Sequence, residues 1–136
     1  MSELITVYSY SGNSKKLATE EASKNGLDII EVFDKEKVGK ATAYSKGCLY
    51  AMKQKGWDID VKNISFDEYS KITIYAPNWA GSLAPAAITF LNTIPAGKEI
   101  SIKLVSKSGV SGCKDKLKTI IEHNGSTMVS FEDIKA

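Results

Sequence analysis

The chain has 136 residues, a net charge of +2, 43% apolar and 25% charged residues, a balance that suits one soluble globular domain spanning 1–136. No basic block points to nucleic acid, no apolar run approaches the ~20 residues of a membrane span, and no signal-peptide pattern opens the chain, so a cytoplasmic location is expected. Two cysteines, Cys48 and Cys113, lie in helical patterns without CxxC spacing and read as reduced, buried thiols.

Taken in order, the chain alternates between apolar runs and helical patterns. Residues 3–9 form a first strand, and 13–25 a first helix stopped by Asn25-Gly26. A second strand covers 28–33. A second helix, about 41–55, carries Tyr44, Cys48, Ala51 and Lys55 on one stripe, with Leu49 and Met52 beside it. A third strand covers 71–76, and a third helix starts near Pro85, placing Ala87, Leu91 and Ile94 together. The fourth strand is 99–106. In the fourth helix Cys113, Leu117, Ile120 and Ile121 fall at i, i+4, i+7 and i+8, the clearest amphipathic signal in the chain. A fifth strand covers about 127–132. Strands separated by helical crossovers imply a parallel α/β sheet with right-handed connections.

In such sheets ligands bind beyond the carboxyl ends of the strands, so three loops matter. The first, Ser9-Tyr10-Ser11-Gly12-Asn13-Ser14, hands a strand over to a helix N-terminus, where unpaired N–H groups and the macrodipole favour an anion. Its hydroxyls suit a phosphate, although a serine there can equally be an ordinary helix cap. The second, Pro77-Asn78-Trp79-Ala80-Gly81-Ser82, offers a flat aromatic beside a flexible glycine. The third runs from Ser106 through Lys107, Ser108 and Gly109 to Gly112 and is rich in Gly and Ser. A ligand with a phosphate at one end and a planar ring at the other would use all three. Trp79 at a strand's carboxyl end is better placed to stack than to fill a core.

With these residues in view the sequence resembles the flavodoxins. Ser9 to Ser14 looks like their FMN-phosphate loop. The segment from Asp67-Glu68-Tyr69 to Gly81, followed by Ala84-Pro85-Ala86, is similar to the stretch that carries their first ring-binding loop, and 106–112 falls where the second lies. The resemblance covers nearly the whole chain. It implies a three-layer sandwich on a five-stranded parallel sheet of order 2-1-3-4-5, non-covalently bound FMN, and electron transfer between redox-partner proteins. It further implies that Ser9, Ser11 and Ser14, with amides from Tyr10 to Lys15, hold the phosphate. Trp79 would then stack on the ring, the Ala80-Gly81 peptide would lie near flavin N5, and the amides of 106–112 would address the pyrimidine edge, with Lys107 close to it.

The departures bear on use rather than on binding. The loop 106–112 has no aromatic to clamp the second ring face, which favours as an alternative a small FMN-dependent quinone or nitro-compound reductase. The pI of about 8.4 is basic for the family, and no fifth helix follows strand five. Strands three and four alternate, with Ser101, Lys103, Thr73 and Tyr75 on the second side. The expectation is therefore a half-exposed sheet face bearing a small Tyr75–Val105 apolar patch, and a monomer or weak dimer. Other chemistries lack their signatures: there is no G-x-x-x-x-G-K-[ST], no G-x-G-x-x-G, no acidic pair ending strand one and no Cys/Arg phosphatase loop. The lone His123 suits the end of helix four rather than a metal.

Overall fold

The computed structural model describes residues 2–10, 12–35, 39, 43–53, 55–61 and 65–136. Ser11, residues 41 and 42 that open the expected second helix, and residue 54 near its end lie outside them.

The element order is β1 (Ser2–Tyr8), α1 (Asn13–Asn25), β2 (Asp28–Asp34), a π-helical turn (Ala43–Gly47) continuing into α2 (Cys48–Met52), and β3 (Ile59–Val61). A 3₁₀ turn (Phe66–Glu68) leads into β4 (Tyr69–Trp79), then β5 (Ser82–Leu83), α3 (Pro85–Thr93), β6 (Glu99–Ser106), α4 (Lys114–His123) and β7 (Thr127–Lys135). The sheet runs β3-β2-β1-β4-β6-β7, with β5 paired to β4. It is a mostly parallel, doubly wound α/β sheet, but the expected five-stranded sheet is corrected to seven strands. The two additions are short and antiparallel: β3 pairs with β2, and β5 folds back on β4. Three-residue and two-residue strands carry too little periodicity to be read from sequence.

Other boundaries shift for physical reasons. β4 runs on to Trp79 because the segment beyond Ala76 pairs antiparallel with β5. β7 continues to Lys135 alongside β6, with Val129 accommodated by a register shift between Ile100 and Ser101. On the second helix Ala51 is fully buried, while Leu49 and Met52 are exposed and Cys48 is half-buried. Gly47 sits inside this helical segment because a Cβ there would lie 2.5 Å from the Trp79 ring.

One side of the sheet carries the larger core. Leu4, Ile72, Ile74, Ile100, Ile102 and Leu104 pack there against Ile88 and Leu91 of α3 and against Leu117 and Ile121 of α4. The alternation read in β4 and β6 is real: Ser101, Lys103, Thr73 and Tyr75 do face the other side. The exposed apolar patch is not. Tyr75 and Val105 are 3% and 4% exposed and pack with Ile5, Val7, Ala18 and Ala22 beneath α1. The reason is the small-residue face of α1, where Ser14, Ala18 and Ala22 are buried and bring the helix close to the sheet.

From that helix Glu21 reaches across. It accepts hydrogen bonds from the Tyr75 hydroxyl and from Lys103 Nζ (3.0 Å), and Lys103 also lies 3.8 Å from Glu132. Burial opposes ionisation of Glu21, but the Tyr75 and Lys103 hydrogen bonds and the charges of Lys103 and Lys71 outweigh it, so its carboxyl is held below its ordinary 4.5. A depressed carboxylate pKa contributes stability above the unfolded value and loses it as pH falls through the folded value. Glu21→Gln should therefore cost about 0.5–1 kcal/mol at pH 7, the range of a partly screened pair. In urea melts the variant and parent should converge below pH 4.5; a gap that persists in acid would assign the effect to packing.

Candidate functional site

The carboxyl ends of β1, β4 and β6 gather the three loops at one edge. Where β1 ends, Gly12 is the residue before α1 and adopts a left-handed conformation, φ 102°, that a side chain would strain. Its N–H donates to Ser9 Oγ (2.9 Å) and its carbonyl accepts from Lys16 N–H (3.1 Å). Among the described residues no side chain caps the helix, and its first turn carries no acid. The cap position is thus held by a glycine rather than by a serine. Ser14 is buried against the sheet, and Lys15 is turned to Glu31 (3.1 Å). Tyr10 and Asn13 are exposed.

The second loop is a two-residue hairpin turn. Ala80 and Gly81 have φ 51° and 85°, the pair of positive values that a type I′ turn requires. Asn78 locks it, its Oδ1 accepting from Gly81 N–H (2.7 Å) while its Nδ2 donates to the Val110 carbonyl (3.1 Å) of the third loop. In that third loop Ser106 Oγ accepts from Gly109 N–H (2.9 Å), and Ser108 bonds to Val110. Lys107 is exposed, and Val110 is 70% exposed. Pro77 is half-buried at the end of β4, beside Val105. The three loops therefore come together, two of them hydrogen-bonded to each other.

Trp79 lies half-buried among rings that meet it edge-on: Tyr10 at 5.5 Å, Trp57 at 6.0 Å and Tyr8 at 6.1 Å between centroids. It thus has a packing role as well as a position at the sheet's edge. Behind it stands a group that sequence reasoning missed. Asp34 accepts from the Tyr8 hydroxyl (2.6 Å) and from Trp57 Nε1 (2.8 Å), and Tyr50 continues the row 5.8 Å from Trp57. Burial pushes the Tyr8 hydroxyl far up, and the Asp34 hydrogen bond and charge add to this, so Tyr8 stays a neutral donor. The pairings span 23 and 26 residues. The one available signal was an acid ending the second strand.

The remaining candidates sit apart from this chemistry. Cys113 is buried, and its burial raises the thiol pKa, with a weak bond to Ser111 Oγ at 3.4 Å; such a thiol is a poor nucleophile. His123 is exposed in the last turn of α4. Among the described residues no group of three or more His, Cys, Asp or Glu side chains could hold a metal ion, and no helix is long and apolar enough to cross a membrane.

No family model and no curated protein matches the chain. Solved structures do. A flavoprotein of Lactobacillus acidophilus NCFM, in complex with FMN, is 26% identical, with TM-score 0.75 over 96% of this chain and 91% of that one. A candidate flavoprotein of Bacteroides eggerthii superposes with TM-score 0.78 at 17% identity, over 96% and 86%. Oxidised flavodoxin 2 of Bacillus cereus gives 0.56 at 15%, over 99% and 84%. The fold is flavodoxin-like. The chain is similar to flavoproteins along nearly its whole length.

The Asp34 clasp makes a double-mutant prediction. Asp34→Ala should destabilise by about 1–3 kcal/mol, because the Tyr8 hydroxyl is left buried without an acceptor. Tyr8→Phe added to it should recover part of that loss in urea unfolding, a negative coupling of the kind contacting residues show. Strict additivity would mean that the pair does not interact.

Proposed function

We propose that this chain binds FMN non-covalently and carries electrons between redox-partner proteins. The observation that carries the reading is the N-terminus of α1 capped by left-handed Gly12, on the same sheet edge as the Trp79 hairpin and the 106–112 loop. The donor chemistry fits the cofactor at both ends. Ser9, with the amides from Tyr10 to Lys15, would hold the phosphate, Ser11 and Ser14 being the further hydroxyl candidates from sequence. Trp79 would face the ring, and the amides of Ser106 to Gly109 would serve its polar edge. The likeness to a flavoprotein in complex with FMN supports the same assignment.

Bound FMN supplies reversible one- and two-electron chemistry. The protein's own contribution is binding and electrostatics. The Ala80-Gly81 peptide, in a turn held by Asn78, offers a backbone polar group whose orientation can respond to a proton gained nearby. Lys107, exposed in the third loop, would favour added negative charge. The second reading is a small FMN-dependent oxidoreductase acting on a quinone or nitro compound. It draws on the lack of any aromatic in 106–112, which leaves one side of the site without a ring to cover it. Turnover of NAD(P)H with a quinone by the FMN-loaded chain would select that reading.

FMN should bind at least about 100-fold more tightly than riboflavin. Two hydrogen bonds to a charged phosphate at the low end of 1.5–3 kcal/mol each amount to about 3 kcal/mol. Isothermal titration with both ligands tests this, and equal affinities would remove the phosphate assignment from residues 9–14. Trp79→Ala should weaken both ligands alike by about 0.5–1.5 kcal/mol beyond lost contact area; unchanged binding would leave Trp79 with packing alone.

A further inference from the structure

Charge is not spread evenly over this molecule. Two groups of lysines flank Trp79. On one side Lys46 and Lys55 stand with Nζ 5.5 and 4.9 Å from the Tyr50 ring centre, and that ring leads through Trp57 to Trp79 in steps of 5.8 and 6.0 Å. On the other side, exposed Lys107 and Lys135 belong to the third loop and the strand end beneath it. A Cβ on Gly109 would lie 3.0 Å from that of Lys135, and the loop is tied to Asn78 through Val110. The ion pairs found among the described residues use Lys15, Lys71 and Lys103 rather than these four lysines. Asp34, which accepts from Tyr8 and Trp57, keeps its charge and lies half-buried beside the rings. Exposed Asp58, Asp60 and Asp115 and half-buried Asp133 dilute the positive field at this end. At the opposite end, where the strands begin, exposed Asp28, Asp67, Glu68 and Glu99 stand with Lys24, Lys71 and Lys98.

All 18 basic residues of the chain are lysines. An ammonium on a flexible stem is a strongly hydrated point charge, whereas arginine supplies the planar fork that reads phosphates and bases. Lysines suit steering and brief encounter rather than a fixed, desolvated contact. Short-lived encounters of small area are the habit of electron-transfer pairs. We propose that the lysine-flanked end around Trp79 is the docking surface for a redox-partner protein that presents carboxylates around its own donor or acceptor centre. The redox character of that partner rests on the FMN reading; the sign of its charge does not.

Two measurements test this. In the first, ¹⁵N-labelled full-length chain is titrated with poly-L-glutamate at low salt and followed by amide shifts. Shifts should concentrate on residues 45–55, 106–112 and 134–136 and vanish at high salt, where the Debye length shrinks to a few ångströms. The triple variant Lys46→Glu, Lys107→Glu, Lys135→Glu should bind about tenfold more weakly, and Lys24→Glu, at the far end of α1, should bind as the parent does. Shifts centred elsewhere or spread evenly would overturn the proposal. So would tighter binding of a thymidine oligonucleotide than of polyglutamate at equal charge, which would transfer the surface to nucleic acid.

In the second, the FMN-loaded, chemically reduced chain is oxidised in a stopped-flow instrument by ferricyanide or by hexaammineruthenium(III). Each complex takes one electron, its metal passing from the +3 to the +2 state. Raising salt should slow the anionic oxidant about tenfold and speed the cationic one; the reverse pattern would overturn the proposal. A chain that takes up no FMN would defeat the proposed function, and the titration would still decide the surface.

Discussion

How closely α1 lies on the sheet governs much else in this molecule. Ser14, Ala18 and Ala22 form its inner face, and side chains of that size let a helix approach where leucines would hold it off. Close approach buries Ile5, Val7, Tyr75 and Val105 under one helix. It also fixes the N-terminus of α1 directly after the end of β1. Ahead of that helix Gly12 turns left-handed. The same glycine holds the cap position. The helix end used by the proposed phosphate site thus belongs to the same helix whose small-residue face packs on the sheet.

The half of that face beyond α1 is held differently. Thr73, Ser101 and Ser130 stand abreast on β4, β6 and β7, as do Tyr75, Lys103 and Glu132. An uncovered parallel sheet would normally need a second apolar layer. Here Lys71 pairs with Glu3 and Lys103 with Glu21, and Ser101 is only 4% exposed. Glu21, Lys103 and Glu132 tie the surface together. Polar side chains in pairs do here what a covering helix does elsewhere, at a modest energetic return because the pairs are partly solvated.

These contrasts explain what was legible beforehand. The apolar runs of β1, β4 and β6 and the i, i+4, i+8 spacing of Cys113, Leu117 and Ile121 report burial directly, so strands, helices and the sheet edge bearing the loops could be read. The polar alternation of β6 was read correctly, but its consequence was not. Whether Tyr75 lies bare depends on how far one helix reaches, and that depends on the third dimension rather than on periodicity. β3 and β5 are recruited by neighbours and have no pattern of their own. Asp34 illustrates the same limit in the site, since nothing near it in sequence announces Tyr8 and Trp57 as its donors.

The hairpin after β4 shows where local chemistry and tertiary demand disagree. A type I′ turn prefers Asn-Gly or Gly-Gly, yet its first position holds Ala80 at φ 51°. A left-handed alanine costs about 1–2 kcal/mol. The turn is kept nonetheless, because Asn78 bonds to Gly81 on one side and to Val110 on the other, and β5 pairs back onto β4. An asparagine at position 80 could have satisfied its own backbone, whereas alanine adds no polar side chain of its own beside Trp79. The strain is thus offset by contacts outside the turn, and the loop's shape is set by its neighbours rather than by its sequence. The Asn78 bridge between two loops and the β4–β5 pairing together keep the turn where it is.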